Sequence, residues 1–307
     1  EQARVERSPD GQWEASVRDH NLWIRNVRTG KDSQLTHDAT AANSFRRDVQ
    51  TARSIGMDYD AAEPPPTLPQ IHWAPDNRHL IAIQTRAVPE RRVHLIESSP
   101  SDQLQPRLAS YPYLKPGDPI PTPVPRVFAV EPAREITLPP DAFPNPWSLD
   151  EFRWAPDGSH FTLLHNERGH QRLQVLAVHL PGPGDPQAPA EVRVLVRETS
   201  TTFIDYSNKT YLRFLDEPGA LLWMSERSGW NHLYLHDPLT GAPRHAITRG
   251  DWVVRSVEHV DPARREVWFK AMGLRPGEDP YHVPLARVNL DGTGLTRLTD
   301  GDGTHDI

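Results

Sequence analysis

The sequence predicts an all-β fold, a β-propeller of four-stranded antiparallel blades, on three observations. Proline supplies 32 of the 307 residues, roughly twice the usual share, and proline interrupts helices while suiting turns and strand edges. Short apolar and aromatic runs, with nine Trp in all, are divided by Pro- and Gly-containing turns. The same strand–turn–strand pattern recurs about five times at a spacing of ~40 residues or more, the period of propeller blades. One four-stranded sheet exposes two apolar faces, and radial stacking of neighbours covers both.

The clearest copy is Leu221–Thr248. Leu221–Met224 is an apolar run of the kind found in a strand covered on both faces. Ser225–Gly229 is polar and ends in Gly, so the chain reverses there. Leu233 and Leu235 then alternate with His232, Tyr234 and His236, a period of two. Asp237-Pro238-Leu239-Thr240-Gly241 is a turn in which Pro fixes φ and Gly supplies a positive φ.

The other copies follow this order. The first unit, roughly 1–38, has the turn Ser8-Pro9-Asp10-Gly11, a strand through Trp13, Ala15 and Val17, and a second from Asn21. The second, roughly 68–140, opens at Ile71-His72-Trp73-Ala74-Pro75-Asp76-Asn77, with Leu80–Gln84 and Val93–Glu97 as its clear strands. The third, roughly 150–198, opens at Trp154-Ala155-Pro156-Asp157-Gly158. The fourth and fifth span roughly 210–250 and 251–303. Inserted loops at 40–69 and 100–138 break the period, and long loops in a compact fold are commonly functional. Trp73, Trp154 and Trp223 are expected to pack between blades, each ring contributing on the order of 2–3 kcal/mol.

Several chemistries leave no trace. There is no cysteine, hence no disulfide, thiolate metal site or Cys nucleophile. A net charge of −7 is not a nucleic-acid footprint. No apolar run reaches the ~20 residues that cross a bilayer as a helix. The nucleophile-elbow, zincin and phosphate-loop motifs are all missing, so this chain carries no Ser-His-Asp site and no catalytic residue of its own. The 15 histidines are scattered and read as surface residues rather than metal ligands, and no cofactor is expected. Asp300–Asp306 lacks the closing Glu of a calcium loop and reads as a solvated turn. Asn208-Lys209-Thr210 matches a glycosylation sequon near chance frequency. Glu226 and Arg227 read as a turn ion pair beside Trp230.

Ser8-Pro9-Asp10-Gly11, the two W-A-P-D segments, Tyr111-Pro112-Tyr113-Leu114-Lys115-Pro116-Gly117-Asp118-Pro119 and Ser225-Glu226-Arg227-Ser228-Gly229-Trp230-Asn231-His232-Leu233-Tyr234-Leu235 together resemble the N-terminal propeller of dipeptidyl-peptidase-IV-like serine peptidases, of the prolyl oligopeptidase clan. The resemblance covers nearly the whole chain. It implies an eight-bladed propeller, of which this chain is an incomplete part, and an α/β-hydrolase domain as partner in the parent protein. It implies a role in gating access of short peptide substrates to that domain, a periplasmic or secreted location, and homodimerisation as a further expectation. In the family, two adjacent glutamates between the first unit and the W-x-P-D of the second unit bind the substrate's ammonium. The matching segment here has no such pair. It offers Asp58, Asp60 and Glu63, with Arg46 and Arg47 opposing an ammonium, and these five are the candidate substrate-binding residues. Strict dipeptidyl specificity is therefore open. A TolB-like propeller acting as a protein-binding module is the alternative. A propeller glycosidase would need two facing carboxylates, for which Glu14 and Glu266 are the strand-borne candidates.

Overall fold

The computed structural model describes residues 5–46, 48–53, 69–301 and 303–304. The chain divides into two compact units, Glu1–Leu163 with Val178–Val192, and Leu164–Ala177 with Arg193–Ile307.

The first sheet pairs β1 (Val5–Arg7), β2 (Trp13–Arg18), β3 (Asn21–Asn26) and β4 (Asp32–Gln34) in sequence order. Ala15, Leu22 and Ile24 are buried from its two central strands. The segment read as an inserted loop at 40–69 contributes β5 (Asn43–Ser44) and one short helix, α1 (Val49–Arg53). The second sheet runs β11-β10-β7-β5, with β6 also paired to β7. Its strands are β6 (Ile71–Trp73), β7 (His79–Arg86), β10 (Thr122–Val130) and β11 (Ala133–Ile136).

This sheet corrects the sequence expectation in one place. Val93–Glu97 does lie in a strand, β8 (Arg92–Glu97), but its partner is β9 (Arg107–Pro112). The two make a separate hairpin inserted between β7 and β10. The second blade's own strands β10 and β11 lie inside 100–138, which reads as loop because Pro123 and Pro125 argue against a sheet strand. Both prolines nonetheless pair with β7, Pro123 opposite Thr85 and Pro125 opposite Ile83. The physical reason is local: β11 covers only Val127–Val130, so the proline half of β10 has an open side where a missing N–H breaks no ladder.

Neighbouring sheets of the first unit are joined by a repeated contact. Trp73 Nε1 donates to the carbonyl of Glu6 at 3.2 Å. Trp154, on β12 (Pro146–Trp154), donates in the same way to the carbonyl of His72 at 3.1 Å. Each W-A-P-D tryptophan thus reaches from an edge strand of its sheet to an edge strand of the sheet before. The turns that follow also stack. Asp10 N–H donates to Asn77 Oδ1 at 3.0 Å, and Gly158, at φ +70°, lies where a Cβ would come within 2.3 Å of the Asp76 carboxylate.

The third sheet continues from β12 through β13 (His160–Glu167), β14 (Arg172–His179) and β15 (Glu191–Thr199). The fourth is β16 (Leu212–Leu215), β17 (Ala220–Ser225), β18 (His232–His236) and β19 (Pro243–Ala246), and the fifth is β20 (Val253–Asp261), β21 (Glu266–Met272), β22 (Leu285–Asn289) and β23 (Thr296–Arg297). Every residue of β17 is buried. Leu221 and Trp223 pack with Leu173, Val175 and Leu195. Leu222 and Met224 pack the other way, with Val254, Val267 and Phe269. One strand of period two therefore feeds two cores, as stacking of sheets requires. The alternation in β18 suggests one wet face, yet all five of its residues are buried; its polar face is enclosed by hydrogen bonds described below.

Candidate substrate-contact surfaces

Of the sequence-predicted site residues, Asp58, Asp60, Glu63 and Arg47 lie outside the described residues. Arg46 is exposed, and its N–H donates to Ser44 Oγ at 2.9 Å. What the structure does define is how the stems of that segment are held. On the N-terminal side, β5 pairs with the end of β7, Asn43 opposite Arg86 and Ser44 opposite Thr85. Arg53 then closes α1. Its Nε and one terminal nitrogen donate to the Pro121 carbonyl at 2.9 and 2.6 Å, and the other donates to the Trp147 carbonyl at 2.8 Å. Its guanidinium also lies over the Trp147 ring, 4.5 Å from the centroid, so charge and π-face add to the three hydrogen bonds. On the C-terminal side, the Gln70 carbonyl accepts from Ile83 N at 3.0 Å and β6 follows at once. Sequence reasoning missed Arg53, because only folding brings residues 53, 121 and 147 together.

The Ser225–Asn231 turn is built differently from the expected Glu226–Arg227 pair. Arg227 is bound by Glu198 of β15, and its Nε donates to Ser225 Oγ at 3.0 Å. Glu198 Oε1 also accepts from the buried Trp223 Nε1 at 2.9 Å. Glu226 pairs instead with Lys209 at 2.7 Å. The reason is distance along a turn: adjacent side chains diverge, and each finds its partner on a neighbouring segment.

Three histidines read from sequence as surface groups, His165, His232 and His236, are buried. His236 Nδ1 donates to the Gly241 carbonyl at 2.8 Å, leaving Nε2 to accept from Arg227 at 3.4 Å. His232 Nε2 donates to the Gly250 carbonyl at 2.9 Å. Thr248 Oγ1 already accepts from Leu233 N, so its hydroxyl proton goes to His232 Nδ1 at 3.0 Å. These partners fit the neutral ring in both cases. Burial lowers both pKa values, against a smaller raising effect from the bonds to Gly250 and Gly241. Glu14 is held by Arg7 and Glu266 by Arg287, so both carboxylates proposed for glycoside chemistry are engaged in ion pairs.

Two adjoining clefts open in the second unit. One, of about 300 Å³, is lined by Asp205, Asn208, Lys209, Asn231 and Arg255 among others. The larger, of about 530 Å³, is lined by Thr210, Tyr211, Arg255, Ser256 and Lys270 among others. Asp205 is fixed by Ser207 and Asn208, which donate to its Oδ1 at 3.0 and 3.2 Å. Burial raises its pKa, but these bonds and Lys209 together hold it below the usual carboxylate value. Among the described residues no group of three or more His, Cys, Asp or Glu could hold a metal ion.

Comparison with known proteins bears on what these surfaces serve. The family model described as the dipeptidyl peptidase IV (DPP IV) N-terminal region matches residues 1–48 and 68–307. Dipeptidyl-aminopeptidase B of Aspergillus niger is 26% identical over 331 aligned residues, covering 98% of this chain and 34% of that protein. A probable dipeptidyl-aminopeptidase B of Emericella nidulans is 26% identical, covering 95% of this chain and 32% of that protein. The chain thus spans about a third of the length of these curated relatives. The crystal structure of Porphyromonas gingivalis dipeptidyl peptidase 4 superposes with a TM-score of 0.66 at 21% identity, over 99% of this chain and 39% of that one. That likeness shows the fold, a β-propeller built of four-stranded antiparallel blades. With the repeated tryptophan contacts and a match over nearly its whole length, the chain belongs to the dipeptidyl peptidase IV N-terminal region family.

Proposed function

We propose that this chain is the non-catalytic, substrate-gating propeller region of a serine peptidase of the dipeptidyl peptidase IV type, acting beside an α/β-hydrolase domain that cleaves short peptides. The observation that carries the reading is the extent of the family match together with its gap. The match omits residues 49–67, which hold α1 and the segment with Asp58, Asp60 and Glu63. A propeller that keeps its blades but replaces this one segment is one whose substrate contacts have been altered while its scaffold has not. The peptidase names of the relatives support this reading over a stand-alone binding module.

Within it, the segment between Arg53 and Gln70 receives the substrate's free amine. One or more of Asp58, Asp60 and Glu63 binds the ammonium by charge-assisted hydrogen bonds, and Arg46 and Arg47 limit which amines approach. The test is cleavage by the full-length protein after Asp58→Asn, Asp60→Asn and Glu63→Gln, singly and together. Michaelis constants for free-amine peptides should rise about tenfold or more in at least one variant, as loss of one charged hydrogen bond implies, while acetylated peptides respond little. Unchanged constants for free-amine peptides in the triple variant would remove the amine-binding role.

Homodimerisation is the second expectation for the parent protein. It draws support from the β8–β9 hairpin, whose Ile96 and Leu108 stand opposite one another and are 71% and 69% exposed.

A further inference from the structure

Strands β13 and β14 are neighbours in the third sheet, and a histidine stands at the same end of each. His160 opens β13 and His179 closes β14. Just outside them, Leu180 N donates to the Ser159 carbonyl at 2.9 Å. In an antiparallel ladder, the residues one step in from such a bonded pair face each other without a bond, and there the side chains come closest. Those residues are His160 and His179. Their ring centroids lie 4.9 Å apart with 23° between the planes, and both residues are half-buried.

Neighbouring groups set the state of these rings. Ser159 Oγ–H donates to Asp157 Oδ1 at 2.7 Å, so its oxygen accepts from His160 Nδ1–H at 3.1 Å. That bond fixes the tautomer and leaves the lone pair on Nε2. A metal-binding imidazole is commonly oriented in this way, by an acceptor on its other nitrogen. Among the described residues no group hydrogen-bonds the His179 ring. Burial first, and then positive charge on His179 and Arg153, hold the His160 pKa below its usual value against the pull of Asp157. The Nε2 lone pair is therefore free of a proton at pH 7. For a bound cation, Arg153 is unfavourable and Asp157 favourable.

We propose that His160 and His179 form a two-imidazole site for a divalent transition-metal ion, Cu2+ before Ni2+ or Zn2+, with water completing the coordination. Two imidazoles cis on one ion, at bonds of about 2.0–2.1 Å, bring their ring centres to roughly 4.5–5 Å, which matches the observed separation. Rotation about the soft Cβ–Cγ bond of His179 turns its lone pair toward the ion. The order of metals is the general one for nitrogen ligands. With two protein ligands, the site takes an exchangeable ion rather than a structural one. It stands apart from the peptide-gating reading and does not rest on it.

The test uses untagged full-length protein, stripped of metal with EDTA and exchanged into buffer at pH 7. Cu2+ is titrated in competition with a chromophoric chelator. Wild-type protein should hold an equivalent of Cu2+ that His160→Gln and His179→Gln each bind about tenfold or more weakly. His94→Gln, at an exposed histidine on β8, should leave that equivalent unchanged. Thermal melting without metal should change little in any of the three. Electron paramagnetic resonance of wild-type protein with one equivalent of Cu2+ should show two equatorial imidazole nitrogens, a readout that needs no variant. Equal Cu2+ binding by wild type and both site variants, a wild-type spectrum without imidazole nitrogens, or no binding at all would overturn the inference. None of these results touches the peptide-gating reading.

Discussion

At the scale of single residues, Glu198 does two tasks with one oxygen. It binds Arg227 and accepts from the indole N–H of Trp223, a ring with no exposed surface. Glu198→Ala leaves that N–H buried without a partner, a cost of about 1–3 kcal/mol. Glu198→Gln retains an acceptor for the indole and loses only the charge, so it should cost roughly half as much. Urea unfolding of the two variants checks the order; equal losses would show that the ion pair, not the indole bond, dominates. His232 and His236 give a pH dependence whose sign follows from their lowered pKa values. The unfolded rings titrate near 6.5, the folded ones below it, so the unfolded chain binds protons first as pH falls. Their stabilising effect is full above pH 6.5 and declines as pH drops toward the folded values. Urea midpoints should fall between pH 7.5 and 5.5, and the double variant His232→Gln, His236→Gln should flatten that slope. A slope unchanged in the variant would assign it to other groups.

At the scale of elements, turns show how much a motif conveys. The Asp237–Gly241 turn is readable as a turn with positive φ at its glycine, and Gly241 has φ +73°. What a motif does not convey is that a Cβ there would stand 1.8 Å from the Leu195 carbonyl oxygen, on the strand β15 of the preceding sheet. Gly241→Ala therefore meets both a strained conformation and rigid backbone. The expected loss is about 2–3 kcal/mol, against the fraction of a kcal/mol of an ordinary exposed substitution. The same change at Gly11, which has a similar φ and nothing within 4 Å, should cost clearly less. Chemical denaturation of the pair makes the comparison, and equal losses would show that φ strain alone decides. Strand β10 marks the opposite case. Its two prolines hide it from pattern reading, although Val127 and Phe128 just beyond them are fully buried.

At the scale of the whole molecule, the β8–β9 hairpin is the part that its own sheet does not use. Leu95, Ile96 and Leu108 are exposed on its strands and Leu104 at its tip, and an apolar two-stranded ribbon is marginal without further packing. On the homodimer proposed above, replacing residues 92–112 by a short Gly-Ser link in the full-length protein should shift it toward monomer, read as a halved mass by sedimentation or light scattering at fixed concentration. An unchanged mass would take the hairpin out of the association. The blades themselves were legible from the W-A-P-D recurrences, because each copy must solve the same problem of covering two apolar faces. The candidate site was legible only as a departure: the family's paired glutamates have no counterpart in 44–70. Arg53 and Glu198 gave no sequence signal, since nothing local distinguishes a charge that clamps a loop from one that pairs at the surface.

The sequence alone determined that this protein is made of short strands in repeating sheets, since period-two runs and Pro/Gly turns act over a few residues and can be read one stretch at a time. Only the tertiary structure decided which strands pair, which polar groups are enclosed, and that Arg255 stands on a bulge. Those outcomes depend on contacts between residues tens of positions apart, and the free energy of such a contact is fixed by neighbours that the local sequence does not name.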